Sequence, residues 1–284
     1  MERLPASWLR GIAESLFATI FPSECRLCDS FLTNISRLPV CDECISAMRP
    51  MQGSFCVMCG ERLSHRQSMS LSDLSIEQSV DGVCGTCRAE SPPYAAASAY
   101  GSYDTRLREM IHLLKYDKVR PAVGVLGAML AEAITKMQPS FAAGTVLVTP
   151  VPLHSSKQRE RGFNQAESIA RTALKNSAFG QRLELSAHLL KRRRVTESQI
   201  GLTQHQRREN LRGAFTVTKP GEVTGREVLL VDDVFTTGTT ASECARVLRR
   251  AGAAKVWVAT VARTLKKSGQ PGEGFESIPA ATAG

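Results

Sequence analysis

The pattern of apolar and polar positions changes character along the chain. Trp8, Leu9, Ile12, Leu16 and Ile20 fall near one face of a short amphipathic helix over 6–20, and Arg10 and Glu14 interrupt the apolar stretch from Trp8 to Phe21. From residue 97 onward, helical stripes alternate with short apolar runs. Leu107, Met110, Ile111 and Leu114 recur at helical spacing behind Asp104, a residue type suited to an N-cap. Pro121 can open a second helix reaching about Lys136. Residues 146–151 read as a strand, and Asn164 with Glu167 forms a capping pair ahead of a helix over 166–174. Residues 228–231 (VLLV) and 255–262 (KVWVATVA) read as buried strands. Strands apolar on both faces, alternating with helices, predict an α/β domain: a mostly parallel twisted sheet flanked by helices.

The stretch before this domain has no such periodicity. It carries cysteines instead, and a Ser-rich loop over 64–79 (SHRQSMSLSDLSIEQS). Ser91-Pro92-Pro93 marks a boundary, because two prolines continue neither a helix nor a central strand. Four parts are expected: an N-terminal amphipathic helix (1–22), a cysteine module (23–92), the α/β domain (97–266) and a disordered tail (267–284) rich in Gly, Pro and Ala.

Eight of the nine cysteines form four CxxC pairs: Cys25/Cys28, Cys41/Cys44, Cys56/Cys59 and Cys84/Cys87. Two intervening residues let both sulfurs of a pair face one metal ion, and two pairs complete a tetrahedron that suits zinc. Pairing neighbours gives two structural Cys₄ ribbons; a crossed pairing or an iron–sulfur cluster uses the same residues, and His65 in the Ser-rich loop is an alternative to one cysteine. Four thiolates leave no open position for water or substrate, so a structural role is expected. Cys244 lies with Val247, Leu248 and Ala251 at helical spacing and reads as a core residue. Neither a signal peptide nor a membrane span is read, and reduced thiols fit a cytoplasmic setting. The net charge of +9 favours anionic partners without choosing among them.

The strand at 228–231 delivers Asp232 and Asp233 to its carboxyl end, the edge where open α/β sheets bind ligands. Thr236, Thr237, Gly238, Thr239 and Thr240 follow and lead into a helix. Gly238 permits a turn that a β-carbon hinders. The turn amides and the helix N-terminus make an anion site suited to phosphate. Thr240 with Glu243 has capping-box spacing. Two carboxylates beside a bare phosphate are ill placed, whereas a ribose carrying a phosphate, or a bound magnesium, accommodates both.

VLLVDDVFTTGTT resembles the signature of type I phosphoribosyltransferases that bind phosphoribosyl pyrophosphate (PRPP). The resemblance implies that Asp232 and Asp233 contact the ribose hydroxyls, that residues 236–240 hold the 5-phosphate, and that magnesium accompanies the pyrophosphate. The wider chain is similar to the ComF/GntX family, with its double zinc ribbon ahead of the type I phosphoribosyltransferase-like domain. The similarity rests on the cysteine pairs, YDTRLREMIHLLK (103–115), Pro150-Val151-Pro152-Leu153 and Arg161-Gly162-Phe163-Asn164-Gln165. It extends to Arg194, Thr196, Gln199, Leu202, Arg207, Asn210 and Gly213-Ala214-Phe215. It implies that the loop bearing Lys157, Arg159 and Arg161 faces the pyrophosphate, and that the basic segment 191–212 closes over substrate. Lys115, ending its helix, can reach a phosphate or stabilise the helix terminus.

Two functions follow. One is a PRPP- and magnesium-binding protein acting in DNA uptake, contacting single-stranded DNA and competence machinery. The other is an active phosphoribosyltransferase of nucleotide or nucleobase salvage, for which no acceptor pocket is legible. Only Phe163 and Phe215 lie near the basic stretches, which is thin support for base stacking.

Overall fold

The apolar run at 228–231 becomes the middle of the sheet. The computed structural model describes residues 24–32, 36–63, 82–175, 179, 181–194 and 203–265. The helix expected before residue 22, His65 with the Ser-rich loop, and the tail lie outside the described residues. Two short helices, α1 (Asp42–Ala47) and α2 (Gly85–Ala89), belong to the cysteine segments. The α/β part then runs β1 (Ala96–Ser102), α3 (Thr105–Lys115), α4 (Ala122–Met137), β2 (Val146–Pro150), α5 (Ser155–Arg161) and α6 (Gln165–Ala173). It continues with β3 (Leu183–Leu185), β4 (Leu190–Arg192), α7 (Gln204–Leu211), β5 (Phe215–Val217), α8 (Pro220–Val223), β6 (Glu227–Phe235), α9 (Thr239–Arg250) and β7 (Lys255–Arg263).

Five strands form one sheet in the order β1-β7-β6-β2-β3, every pair parallel. Alternation along β6 sorts its side chains into two cores. Leu229 and Val231 face α3, α4 and α6 through Leu114, Leu130 and Ile169, while Val228 and Leu230 face α9 through Cys244 and Leu248. Burying each such aliphatic side chain contributes about 1.5–3 kcal/mol. Gly127 on α4 lets α6 approach, since a β-carbon there would come within 2.6 Å of Thr172. The antiparallel pair β4–β5 covers the second core with Leu190 and Phe215. Cys244 is fully buried in that core, as its helical spacing predicts.

The sequence places Asp232 and Asp233 after the strand; the structure carries β6 through them to Phe235. The reason is pairing with β7, where Asp232 stands opposite Thr260 and Phe235 opposite Arg263. Asp104 occupies the N-cap of α3 without a side-chain cap, whereas the Asn164 oxygen accepts from the Glu167 amide at 3.4 Å.

The cysteine segments pack against the edge strand β1. The Tyr100 hydroxyl donates to the Met48 carbonyl at 2.9 Å, and the Ala97 amide donates to the Met58 carbonyl at 2.7 Å. Such contacts cover an edge that would otherwise offer unpaired backbone groups.

Candidate functional site

Successive residues of β6 point to opposite faces, and this separates the two acids. Asp233 lies on the face of Val231, where Lys115 at the end of α3 donates to its Oδ1 at 2.9 Å. The helix register makes that contact. Leu107, Met110, Ile111 and Leu114 bury one side of α3, and the last turn is left over the carboxyl end of β6. Burial by itself favours a neutral Lys115, but the charge and hydrogen bond of Asp233 outweigh it and hold the ammonium protonated.

Asp232 lies on the face of α9, and its carboxylate accepts from the Asp233 amide at 2.9 Å. Burial, followed by the neighbouring charge of Asp233, pushes the Asp232 carboxyl up to about 7, while Lys115 and Arg192 act in the opposite direction. Burial also disfavours the charge on Arg192, whose guanidinium stacks 5.6 Å over Phe215 and is favoured by Asp232. Asp232 is thus poised to change protonation near neutrality.

The turn after β6 exposes Thr236 and Thr237 and places Gly238 in the left-handed region at φ 74° as the N-cap of α9. A β-carbon there would come within 2.5 Å of the Phe235 ring. The Thr237 and Thr239 hydroxyls lie 2.8 Å apart. The capping box expected of Thr240 and Glu243 does not form, because Gly238 rather than Thr240 is the N-cap. Glu243 instead accepts from the Gly213 amide at 2.9 Å and pairs with Arg246, tying the segment after α7 to α9. With no side-chain cap, the first amides of α9 are available to an anion. Asp232, Phe235, Thr236, Gly238, Thr240 and Thr260 line one small cavity at this turn.

Lys157, Arg159 and Arg161 stand on α5, which the His154 ring caps, and none lines that cavity. Lys157 pairs with Glu160 at 2.8 Å on an exposed face. Arg161 turns instead toward the residue after Lys115, stacking 5.4 Å over the Tyr116 ring and donating to the Gln165 side-chain oxygen. Tyr116 also meets His112 edge-on at 5.1 Å, and Arg120 stacks 5.2 Å over Phe163. Sequence reasoning missed this aromatic–cation group, since its members are dispersed between 112 and 163.

The cysteines resolve into Cys25/Cys28/Cys41/Cys44 and Cys56/Cys59/Cys84/Cys87, each set with all sulfurs within 4.8 Å of one another. Neighbouring pairs therefore combine, and the crossed arrangement is excluded. Cys25–Cys44, Cys28–Cys41 and Cys59–Cys84 sulfurs lie 3.8, 3.7 and 3.6 Å apart. A tetrahedron with Zn–S of about 2.3 Å has edges of about 3.8 Å. Disulfides at about 2.05 Å do not match these distances, whereas a single zinc ion per set does. Arg106 donates to the Cys44 sulfur and Arg263 to the Cys59 carbonyl, so each thiolate set has a cation beside it.

The fold, with two Cys₄ sets ahead of it, defines a type I phosphoribosyltransferase-like protein bearing a double zinc ribbon. Residues 161–277 match the phosphoribosyl transferase domain and residues 16–88 the double zinc ribbon domain. The chain is 30% identical over 247 residues to the DNA utilization protein YhgH of Salmonella typhimurium, covering 86% of this chain and 98% of that one. It is 29% identical over 184 residues to Competence protein F of Haemophilus influenzae (63% and 78% covered), and 24% over 221 residues to Competence protein ComFC of Bacillus subtilis (76% and 80%). The chain belongs to the ComF family. No helix among the described residues is long and apolar enough to cross a membrane.

Proposed function

We propose that this protein binds PRPP with magnesium at the carboxyl end of β6 and uses that site in handling single-stranded DNA during uptake. The observation that carries the ligand assignment is the joining of the acid pair to the α9 turn. Asp232 and Asp233 suit hydroxyl donors or a magnesium ion, and the uncapped amides behind Gly238 suit a phosphate. One ligand with a diol, a 5-phosphate and a pyrophosphate uses all of these. Thr236 to Thr240 take the phosphate. Lys115 orients Asp233 toward the ribose through their 2.9 Å ion pair. Arg161, with Lys157 and Arg159 on the same helix, supplies positive charge for the pyrophosphate. Magnesium would neutralise the diphosphate and orient it.

The DNA role is supported by relatives named for competence and DNA utilization, and by Tyr116. The residue is 57% exposed, and its ring is flanked by Arg161 and His112, an arrangement that can stack a base beside a phosphate contact. The alternative is turnover: the same site releasing pyrophosphate as an acceptor attacks the ribose C1. Ligand binding is the reading preferred, because it needs only the groups gathered at the end of β6 and the α9 turn.

Calorimetric titration of the zinc-loaded chain with PRPP tests the assignment. Saturable binding of one PRPP per chain, weakened when magnesium is omitted, is expected. No saturable heat with magnesium present contradicts it. Pyrophosphate release with a nucleobase acceptor would move the reading to the salvage enzyme.

A further inference from the structure

The second cysteine set and the phosphate turn are joined through one buried cation. Arg263, the last residue of β7, is 4% exposed. One edge of its guanidinium faces the cysteine module, donating to the Cys59 carbonyl and pairing with Glu61 at 2.9 Å. Its flat face stacks over the Phe235 ring with a separation of 4.5 Å. The tip of that ring, at its Cζ, is the surface on which Gly238 turns. Strand pairing fixes the geometry from below, since Phe235 and Arg263 are register partners and the Thr264 amide donates to the Phe235 carbonyl at 2.9 Å. A continuous packed path therefore runs from Cys59 through Arg263 and Phe235 to Gly238.

We propose that Arg263 is a positioning residue that ties the second cysteine set to the phosphate turn, so that metal loading of that set governs affinity for a ribose 5-phosphate ligand. The inference rests on the ligand assignment above. The physical cause is rigidity. Cys59 belongs to the metal-binding set, and its carbonyl accepts from Arg263. Fixing the knuckle fixes the guanidinium, and the guanidinium fixes the ring beneath the turn. A loose knuckle releases Arg263, and the Phe235 ring loses the face that holds it under Gly238. Preorganisation of the turn amides is then lost, and the ligand must supply the ordering on binding. The cation of the first set, Arg106, stands at the start of α3, at the opposite end of that helix from Lys115.

The test uses the full chain, with zinc counted per chain and PRPP affinity measured in magnesium. Three variants are compared with wild type: Arg263→Lys, Phe235→Leu and Cys84→Ser. Lysine keeps the charge beside Glu61 but offers no planar face. Arg263→Lys and Phe235→Leu are expected to keep two zinc ions, melt cooperatively, and bind PRPP roughly tenfold more weakly. Cys84→Ser is expected to keep one zinc ion and show the same weakening. Wild-type affinity in Phe235→Leu with two zinc ions, or in Cys84→Ser with one, overturns the proposal while leaving the ligand assignment standing. If Arg263→Lys fails to fold, Phe235→Leu decides, because it leaves the cysteine module untouched. A zinc-loaded wild type that binds no PRPP overturns both.

Discussion

Lys115 and Asp233 are 118 residues apart in sequence and 2.9 Å apart in space, joining the end of α3 to the middle strand of the sheet. The contact supplies a counter-charge to two adjacent carboxylates, one of which titrates near neutrality. The site's expected pH behaviour follows from the burial of Asp232, which this contact opposes.

Asp232 is more readily protonated in the folded chain than unfolded, with its carboxyl raised to about 7 from a reference of 3.8. For a raised acid, the stabilising contribution is present below the unfolded value and is lost as pH rises through the folded one. Asp232→Asn is therefore expected to gain thermal stability over wild type between about pH 4 and pH 7, with the full gain above pH 7. Melting curves across pH check this. Ligand binding needs the ionised acid, so PRPP affinity is expected to rise with pH and level off above about 7. Lys115→Met removes a charge that lowers the Asp232 value. Its affinity midpoint is expected to move above pH 7, and affinity measured at pH 7 falls about tenfold for every whole pH step that the midpoint climbs.

Gly238→Ala combines a positive φ with a clash on Phe235. A loss of about 1–3 kcal/mol in stability is expected, with a loss of PRPP affinity at the same time. Denaturant melts and calorimetry read the two effects separately. Wild-type affinity in this variant would mean that the turn does not hold the phosphate.

The two cysteine sets are expected to differ in their share of global stability. Cys25 and Cys44 sit in the main core with Leu38, Val40, Met48 and Leu107, whereas Cys56, Cys59 and Cys87 form a small cluster of their own. Cys41→Ser should lower the melting temperature more than Cys84→Ser, each leaving one zinc ion per chain. Equal shifts would mean that the second set is equally part of the core. Chelation of both ions should lower it further, since metal-binding free energy is folding free energy in such sites.

Tyr116→Ala removes the exposed stacking face beside Arg161. Affinity for a single-stranded oligonucleotide is expected to fall by about 1–3 kcal/mol, the worth of one base–aromatic stack. Wild-type binding itself should weaken steeply with salt. Fluorescence anisotropy at several salt concentrations measures both.

The sequence displayed local features well and distant partnerships poorly. The apolar run at 228–231 announces a strand, but its continuation through Asp232 and Asp233 depends on pairing with β7, which no local pattern encodes. Thr240 and Glu243 have capping-box spacing, yet the left-handed Gly238 takes the cap and Glu243 turns to Gly213. CxxC spacing announced metal knuckles, but their pairing became clear only from the sulfur separations. The alternative roles for Lys115, a phosphate contact or a helix-end cation, both missed Asp233. Arg263 closes an apolar strand without any signal that its partners are Glu61, Cys59 and Phe235. Segment 191–212, expected to close over substrate, is described only in part, through β4 and α7.

Under the proposed function, the acids of β6 and the α9 turn bind one ribose-phosphate ligand. Calorimetry with PRPP and magnesium compares wild type with the Asp232→Asn/Asp233→Asn double variant. Saturable binding in wild type, lost or weakened by roughly a hundredfold or more in a double variant that keeps its fold and both zinc ions, is the predicted result. Equal affinity in the two proteins would contradict it.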